Sequence, residues 1–173
     1  MRFHSPSSSV QRAPAAPDME DRNGPGVRIP PPVFFVAALL IGLLLQVRFP
    51  VSLFLARPIA LGLGAALAIA GGLFIVTAIP AMVRGHGTLN TAAPSAALVV
   101  SGPYRISRNP MYVGLVLLYS GLACGFAVVW ALPLLIPLIV YTQIGVIAPE
   151  ERYLTHAFGD TYRTYMAHVR RWL

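Results

Sequence analysis

Apolar residues fall in four long blocks along this chain, with no strand-like alternation, and each block gives way to arginine, proline or glycine. Val33 to Val47 is the first, preceded by Pro30 to Pro32 and ended by Arg48 and Pro50. Fifteen residues are short for roughly 30 Å of hydrocarbon, so this span needs help from flanking residues such as Val51 to Leu55. Ile59 to Val83 is the second, with Pro58 suited to a first helical turn and Pro80 predicting a kink. Along it, Gly64, Ala68 and Gly72 recur every four residues, a small-residue stripe that admits a neighbouring helix.

Met111 to Phe126 and Trp130 to Ile147 are the third and fourth blocks, the last carrying Pro133 and Pro137. The uncharged link Gly125 to Val129 predicts a tight antiparallel hairpin. Beyond Pro149 the period changes: Leu154, Phe158, Tyr162, Tyr165, Val169 and Trp172 recur every three or four residues and form one apolar face. Arg152, Arg163 and Arg170 lie off that face, which suits a helix along the headgroup layer or over the bundle. Gly159-Asp160 predicts a stop and a fresh start within it. The pattern as a whole predicts an all-α integral membrane protein. It has about four transmembrane helices (33–47, 59–83, 111–126, 130–147), a helical hairpin and a C-terminal interfacial amphipathic helical segment over 149–172. Residues 30–173 form this membrane-embedded domain, and the Ser-, Pro- and Ala-rich residues 1–29 read as a disordered cytoplasmic tail.

Composition agrees and adds a side. With 56% hydrophobic and 11% charged residues the chain is too apolar for an ordinary soluble domain. Its net charge of +7 comes from arginine alone, since no lysine is present, and that excludes Schiff-base and phosphate-loop lysine chemistry. Four arginines lie in the tail; Arg84, Arg105 and Arg108 lie between the second and third spans; Arg152, Arg163, Arg170 and Arg171 follow the fourth. Only Arg48 and Arg57 fall on the other side, so both termini are expected in the cytoplasm. Arginines that flank apolar spans make no basic face, so the high pI does not imply nucleic acid as a partner. The lone Cys124 sits inside an apolar run, and His4, His86, His156 and His168 show no ligand spacing, so no metal site is expected. The span interiors hold no Asp, Glu, Arg or His, which argues against a transport path.

Two polar cassettes bracket the hairpin. Gly102 to Gly114 packs two arginines, an asparagine, two tyrosines and two prolines immediately before an apolar span. Tyr104 and Tyr112, with Asn109 between them, offer aromatic faces and an amide that could sandwich a nucleoside, although tyrosines also belt membrane interfaces. Arg105 and Arg108, three apart, share a side on a helical turn, or simply snorkel. Glu150-Glu151 opens a helix, where negative charge is favoured, or else Glu150 holds a cation or pairs with Arg105 or Arg108, either of which would lower its pKa.

Gly102-Pro103-Tyr104-Arg105, Arg108-Asn109-Pro110-Met111-Tyr112 and Glu150-Glu151 with Leu154, Phe158-Gly159 and Tyr162 resemble the signature of the isoprenylcysteine carboxyl methyltransferase and phospholipid methyltransferase superfamily. The resemblance covers roughly residues 84 to 173 and implies a bacterial-type membrane methyltransferase of the inner membrane. It also implies S-adenosyl-L-methionine as cofactor, held on the cytoplasmic side, and a lipophilic or small carboxylate, thiol or amine acceptor. By position it implies cofactor binding at Leu98, Val99, Tyr104, Asn109, Pro110, Met111, Tyr112 and Glu150, and a catalytic or site-shaping role for Arg108 and Glu151. Two positions depart from the pattern. The family's usual histidine is Asn109, which cannot titrate as a base. The arginine that meets the prenylcysteine carboxylate in the eukaryotic enzymes aligns near Val146, which cannot pair with a carboxylate.

Overall fold

The computed structural model describes residues 10–12, 30–84 and 97–173. Four elements precede the hairpin: strand β1 (Val10–Arg12), helix α1 (Pro31–Arg48), helix α2 (Arg57–Arg84) and strand β2 (Ala97–Val99). Then come a 3-10 turn (Gly102–Arg105), helices α3 (Pro110–Gly125) and α4 (Ala131–Tyr141), a π-helical segment (Thr142–Ile147) and helix α5 (Ala148–His168). Helix accounts for nearly all of this, as expected. One departure is the antiparallel pairing of β1 with β2, Val10 opposite Val99. It places three residues of the supposedly structureless tail on a sheet edge, and three residues carry no periodicity to read. The rest of that tail, and residues 85–96 of the polar connection between the second and third spans, lie outside the described residues.

Among the described residues three helical stretches are long and apolar enough to cross a membrane: Pro31–Arg48, Arg57–Val83 and Ala131–His168. The expected third span, α3, has 16 residues, roughly 24 Å at 1.5 Å per residue. Its length is offset by intimate contact with α2. A methyl group added at Gly71 would lie 2.5 Å from the Leu118 backbone nitrogen, and one at Gly121 would lie 2.5 Å from that of Ala68. Both helices therefore meet backbone to backbone, the arrangement that replaces a hydrophobic driving force between helices in lipid. The stripe on α2 runs through Gly64, Ala68 and Gly71; Gly72 faces open space. Spacing by four with a final step of three follows the 3.6-residue turn better than a strict repeat of four.

Phe35 of α1, Tyr119 and Ala123 of α3, and Ala131 and Leu138 of α4 share a core. Tyr119 donates to the Ala131 carbonyl at 2.8 Å and so clamps the hairpin. At that end of the bundle Gln46 links the α1–α2 loop to the hairpin turn, accepting from Val129 and donating to Val51. Trp130 donates to the Phe49 carbonyl. Leu44, Val47, Val76, Ile136 and Ile144 point outward, an apolar girdle suited to lipid.

The helix that carries the fourth span does not stop at Pro149. It runs on through the π-helical turn into the first half of α5, as far as Phe158. A proline interrupts an ordinary helix because it lacks an N–H and crowds the carbonyl four residues back. The wider turn just before Pro149 relieves that crowding and rotates the residues beyond it. Gly159 then leaves helical geometry (φ 52°, ψ −126°), so one helix stops there and another starts, as the sequence predicts. The positive φ that only glycine adopts cheaply bends the second half of α5 back over the end of the bundle. Helix ends at His168, and Val169 is extended. Val169 and Trp172 thus belong to a strap, and the apolar helical face stops short of 172.

Candidate functional site

The two polar cassettes meet at one end of the bundle, around a single cavity. Gly102, at φ 61°, opens the 3-10 turn. That turn buries Tyr104 to 6% exposure and leaves Arg105 outside. Arg105 and Arg108 therefore do not share a side: Arg108 lines the cavity and Arg105 faces away from the protein. Ser107 is fully buried; its hydroxyl accepts from the Asn109 N–H at 3.0 Å and donates to the Arg171 carbonyl at 3.2 Å. Pro110 follows as a first-turn proline and α3 begins.

On the opposite wall the π-helical turn delivers Glu150 and Glu151 to the cavity together. They do different work. Glu151 is buried and holds two cations: Arg108 Nη1 lies 3.1 Å from its Oε1, and Arg171 meets both of its oxygens, Nε to Oε1 at 3.0 Å and Nη2 to Oε2. Charge pairing had been expected at Glu150 with Arg105 or Arg108; Glu151 takes it instead. Burial and the negative charge of Glu151 push the Glu150 carboxyl up to about 7, opposite to the expected fall. Glu150 lines the cavity. Tyr104 is also raised, by burial and by Glu150, as are Tyr162 and Tyr165, chiefly by burial. These phenols stay neutral at physiological pH; the Tyr165 hydroxyl donates to the Tyr104 carbonyl, while that of Tyr162 accepts from Arg108.

Two groups in this wall lack what they need. The Tyr104 hydroxyl is buried without a hydrogen-bond partner, and so is Nε of Arg108; Nη1 of Arg108 makes only its ionic contact with Glu151. An unmet buried donor costs about 1–3 kcal/mol, and native proteins leave few. Tyr104 and Arg108 both line the cavity, so a ligand seated there is one source of the missing acceptors. Leu98, Val99, Met82 and Leu154 add apolar walls, and Tyr162 and Tyr165 add aromatic ones. The Tyr165 hydroxyl donates to the Tyr104 carbonyl at 2.6 Å and pins the kinked half of α5 over the site.

The cavity measures about 50 Å³, on a scale where one water takes about 10–15 Å³, so anything as large as a nucleoside extends beyond it through the mouth. The residues fit a group with an apolar, aromatic-sized portion and both positive and negative ends: apolar walls for the first, Glu150 and Arg108 for the others.

Of the residues expected at the site, Leu98, Val99, Tyr104, Arg108, Asn109, Glu150 and Glu151 line the cavity. Three do not. Pro110 is fully buried where α3 begins, Met111 packs on Ala78, Ala81, Val99 and Tyr104, and Tyr112 packs on Val146 and Ile147. The tyrosines that line the cavity are Tyr104, Tyr162 and Tyr165, and Tyr112 is not among them. Asn109 spends its amide on the chain itself, donating from Nδ2 to the Arg171 carbonyl at 2.9 Å. Met82, Leu154, Tyr162, Tyr165 and Arg171 were not foreseen as site residues. Helical spacing marked both tyrosines as inward-facing, while Met82 and Arg171 carried no signal of their own. Among the described residues no group of three or more His, Cys, Asp or Glu could hold a metal.

Compared with known proteins, the chain matches the family model described as phospholipid methyltransferase over residues 59–161, more than half its length and including both cassettes. No curated protein and no solved structure matches it.

Proposed function

This chain belongs to the phospholipid methyltransferase family, and on that premise we propose that it is an S-adenosylmethionine-dependent methyltransferase of the membrane. Its acceptor is a lipophilic or small molecule with a carboxylate, thiol or amine. The cavity faces the cytoplasm, in keeping with the arginine bias, and the membrane is a bacterial inner membrane. The observation that carries the proposal is the convergence of Tyr104, Arg108 and Glu150 on one cavity, with the Tyr104 hydroxyl and Arg108 Nε left without partners.

When bound, the cofactor supplies an electrophilic methyl group on a sulfonium, open to in-line displacement by an acceptor lone pair. The chain's residues bind, orient and exclude water. Glu150 holds positive charge, Arg108 holds negative charge, and Tyr104 donates from its hydroxyl. Leu98, Val99 and Met82 cover the apolar portion. Orientation of this kind lowers a barrier by about 7–11 kcal/mol. An acceptor that arrives with a lone pair needs little proton transfer, so Asn109 in place of a titrating side chain is compatible with turnover. Val146, fully buried against Tyr112 and Ile147, offers no cation to a prenylcysteine carboxylate.

Purified protein in detergent is expected to bind S-adenosylmethionine saturably and to lose that binding on Tyr104→Ala or Glu150→Gln. Transfer of labelled methyl groups into membrane extracts, lipids and small thiols then identifies the acceptor. Absence of saturable binding by the wild type would remove the proposal in favour of a non-catalytic membrane protein.

A further inference from the structure

We infer that Arg171 is a positioning residue: it captures Glu151 so that Arg108 keeps donors free for a carboxylate on the ligand in the cavity. This rests on the cofactor-site assignment above, and it concerns a residue beyond the stretch that the family model matches.

The extended strap after His168 is stitched to the site on every side. The Arg170 carbonyl accepts from the Arg108 N–H at 2.9 Å. The Arg171 carbonyl accepts from both Ser107 and Asn109. Trp172 Nε1 donates to Gln143 Oε1 at 2.9 Å in the π-helical segment. The Arg171 guanidinium grips Glu151 through two nitrogens, a planar fork on a planar carboxylate. Arg108 reaches the same carboxylate only through Nη1, at 3.1 Å, and its side chain is 11% exposed.

Two arginines thus share one carboxylate, unequally. The outer one takes the paired geometry; the inner one retains a buried charge with unused donors on the cavity wall. Without Arg171, Glu151 is free to turn and form the two-pronged pair with Arg108, consuming the donors the ligand would use. The ligand group selected by a buried guanidinium beside a carboxyl is the carboxylate of an amino-acid-like end, with Glu150 available to the neighbouring positive charge. S-adenosylmethionine has such an end; 5′-methylthioadenosine has the nucleoside without it.

The test measures binding of both ligands to the full chain in detergent, for wild type, Arg171→Gln, Arg171→Lys and, as a control for lost surface charge, Arg163→Gln. Arg163 pairs only with the exposed Asp160 at 2.9 Å, away from the cavity. Loss of one charge-assisted contact predicts S-adenosylmethionine binding about 10-fold or more weaker in Arg171→Gln. Methylthioadenosine affinity should be unchanged, and Arg163→Gln should match wild type for both ligands. Arg171→Lys, which keeps the charge and loses the fork, should fall between wild type and Arg171→Gln, and it decides the matter if the glutamine variant does not fold. Equal loss of both ligands, or no loss of either, overturns the inference. If the wild type binds neither ligand, the cofactor assignment fails, and the strap is judged without ligand by hydrogen exchange at the Arg108 amide. Faster exchange in Arg171→Gln than in wild type supports the capture, and unchanged exchange overturns it.

Discussion

Lowering the pH should weaken cofactor binding through Glu150 alone, and by an amount the structure sets. This carboxyl is raised from 4.5 to about 7 by burial and by Glu151. At pH 7 about half the molecules carry the charge that a cationic ligand needs, and at pH 5.5 about one in thirty does. If only the ionised form binds, affinity falls about tenfold per unit below 7, or roughly 2 kcal/mol by pH 5.5. It levels off above 7. The same shift acts on folding with the opposite preference. A raised carboxyl pKa means that the folded state binds the proton more tightly than the unfolded one. The associated stability is therefore fully present below about pH 4.5 and is lost as pH rises to about 7, a span worth on the order of 3 kcal/mol. Calorimetric or fluorescence titration of S-adenosylmethionine from pH 5.5 to 7.5, with thermal unfolding over the same range, tests both halves. Glu150→Gln should give a flat profile in whatever binding remains. A flat profile in the wild type, or the same slope in the glutamine variant, refutes the reasoning.

Tyr104→Phe should leave the free protein as stable as wild type or slightly more so, because the hydroxyl has no partner to lose. Binding should nevertheless weaken by about 0.5–1.5 kcal/mol, measured by melting and by ligand titration. Gly121→Ala should destabilise the bundle by about 1–3 kcal/mol, read as a lower melting temperature in detergent, since the added methyl meets Ala68 backbone at 2.5 Å. Gly72→Ala, with nothing within 4 Å, should be neutral or gain a little from helix propensity. Glu151→Gln leaves Arg108 buried and Arg171 released, and should cost about 3–5 kcal/mol in unfolding free energy.

The helical blocks were legible because lipid demands long unbroken apolar runs, and the residues that end them are chemically blunt. The convergence of both cassettes was legible too, since an even number of crossings returns the chain to the same face. What was not legible depended on phase. Nothing in Thr142 to Ile147 announces a π-helical turn, and it is that turn, with Pro149 after it, that orients the adjacent carboxylates. The family resemblance gave Glu150 and Glu151 separate roles, but residue chemistry alone does not separate adjacent carboxylates, so an arginine partner was weighed for Glu150 and found at Glu151. Tyr112 was misplaced for a related reason: a motif fixes which residues lie near a site, while helix rotation decides which of them face it. Arg171 escaped notice because its importance comes from a strap that has no regular structure and follows a bend at Gly159.

The helical run from Ala131 through the π-helical turn to Phe158 has a further consequence. Its first half is immersed among acyl chains, and its continuation carries the carboxylates, so bilayer thickness and tilt are mechanically connected to the placement of Glu150 and Glu151 against Tyr104 and Arg108. Reconstitution in bilayers of graded acyl length should therefore change ligand affinity as well as stability. A thin membrane and a thick one would present the same chain with two different gaps between its walls.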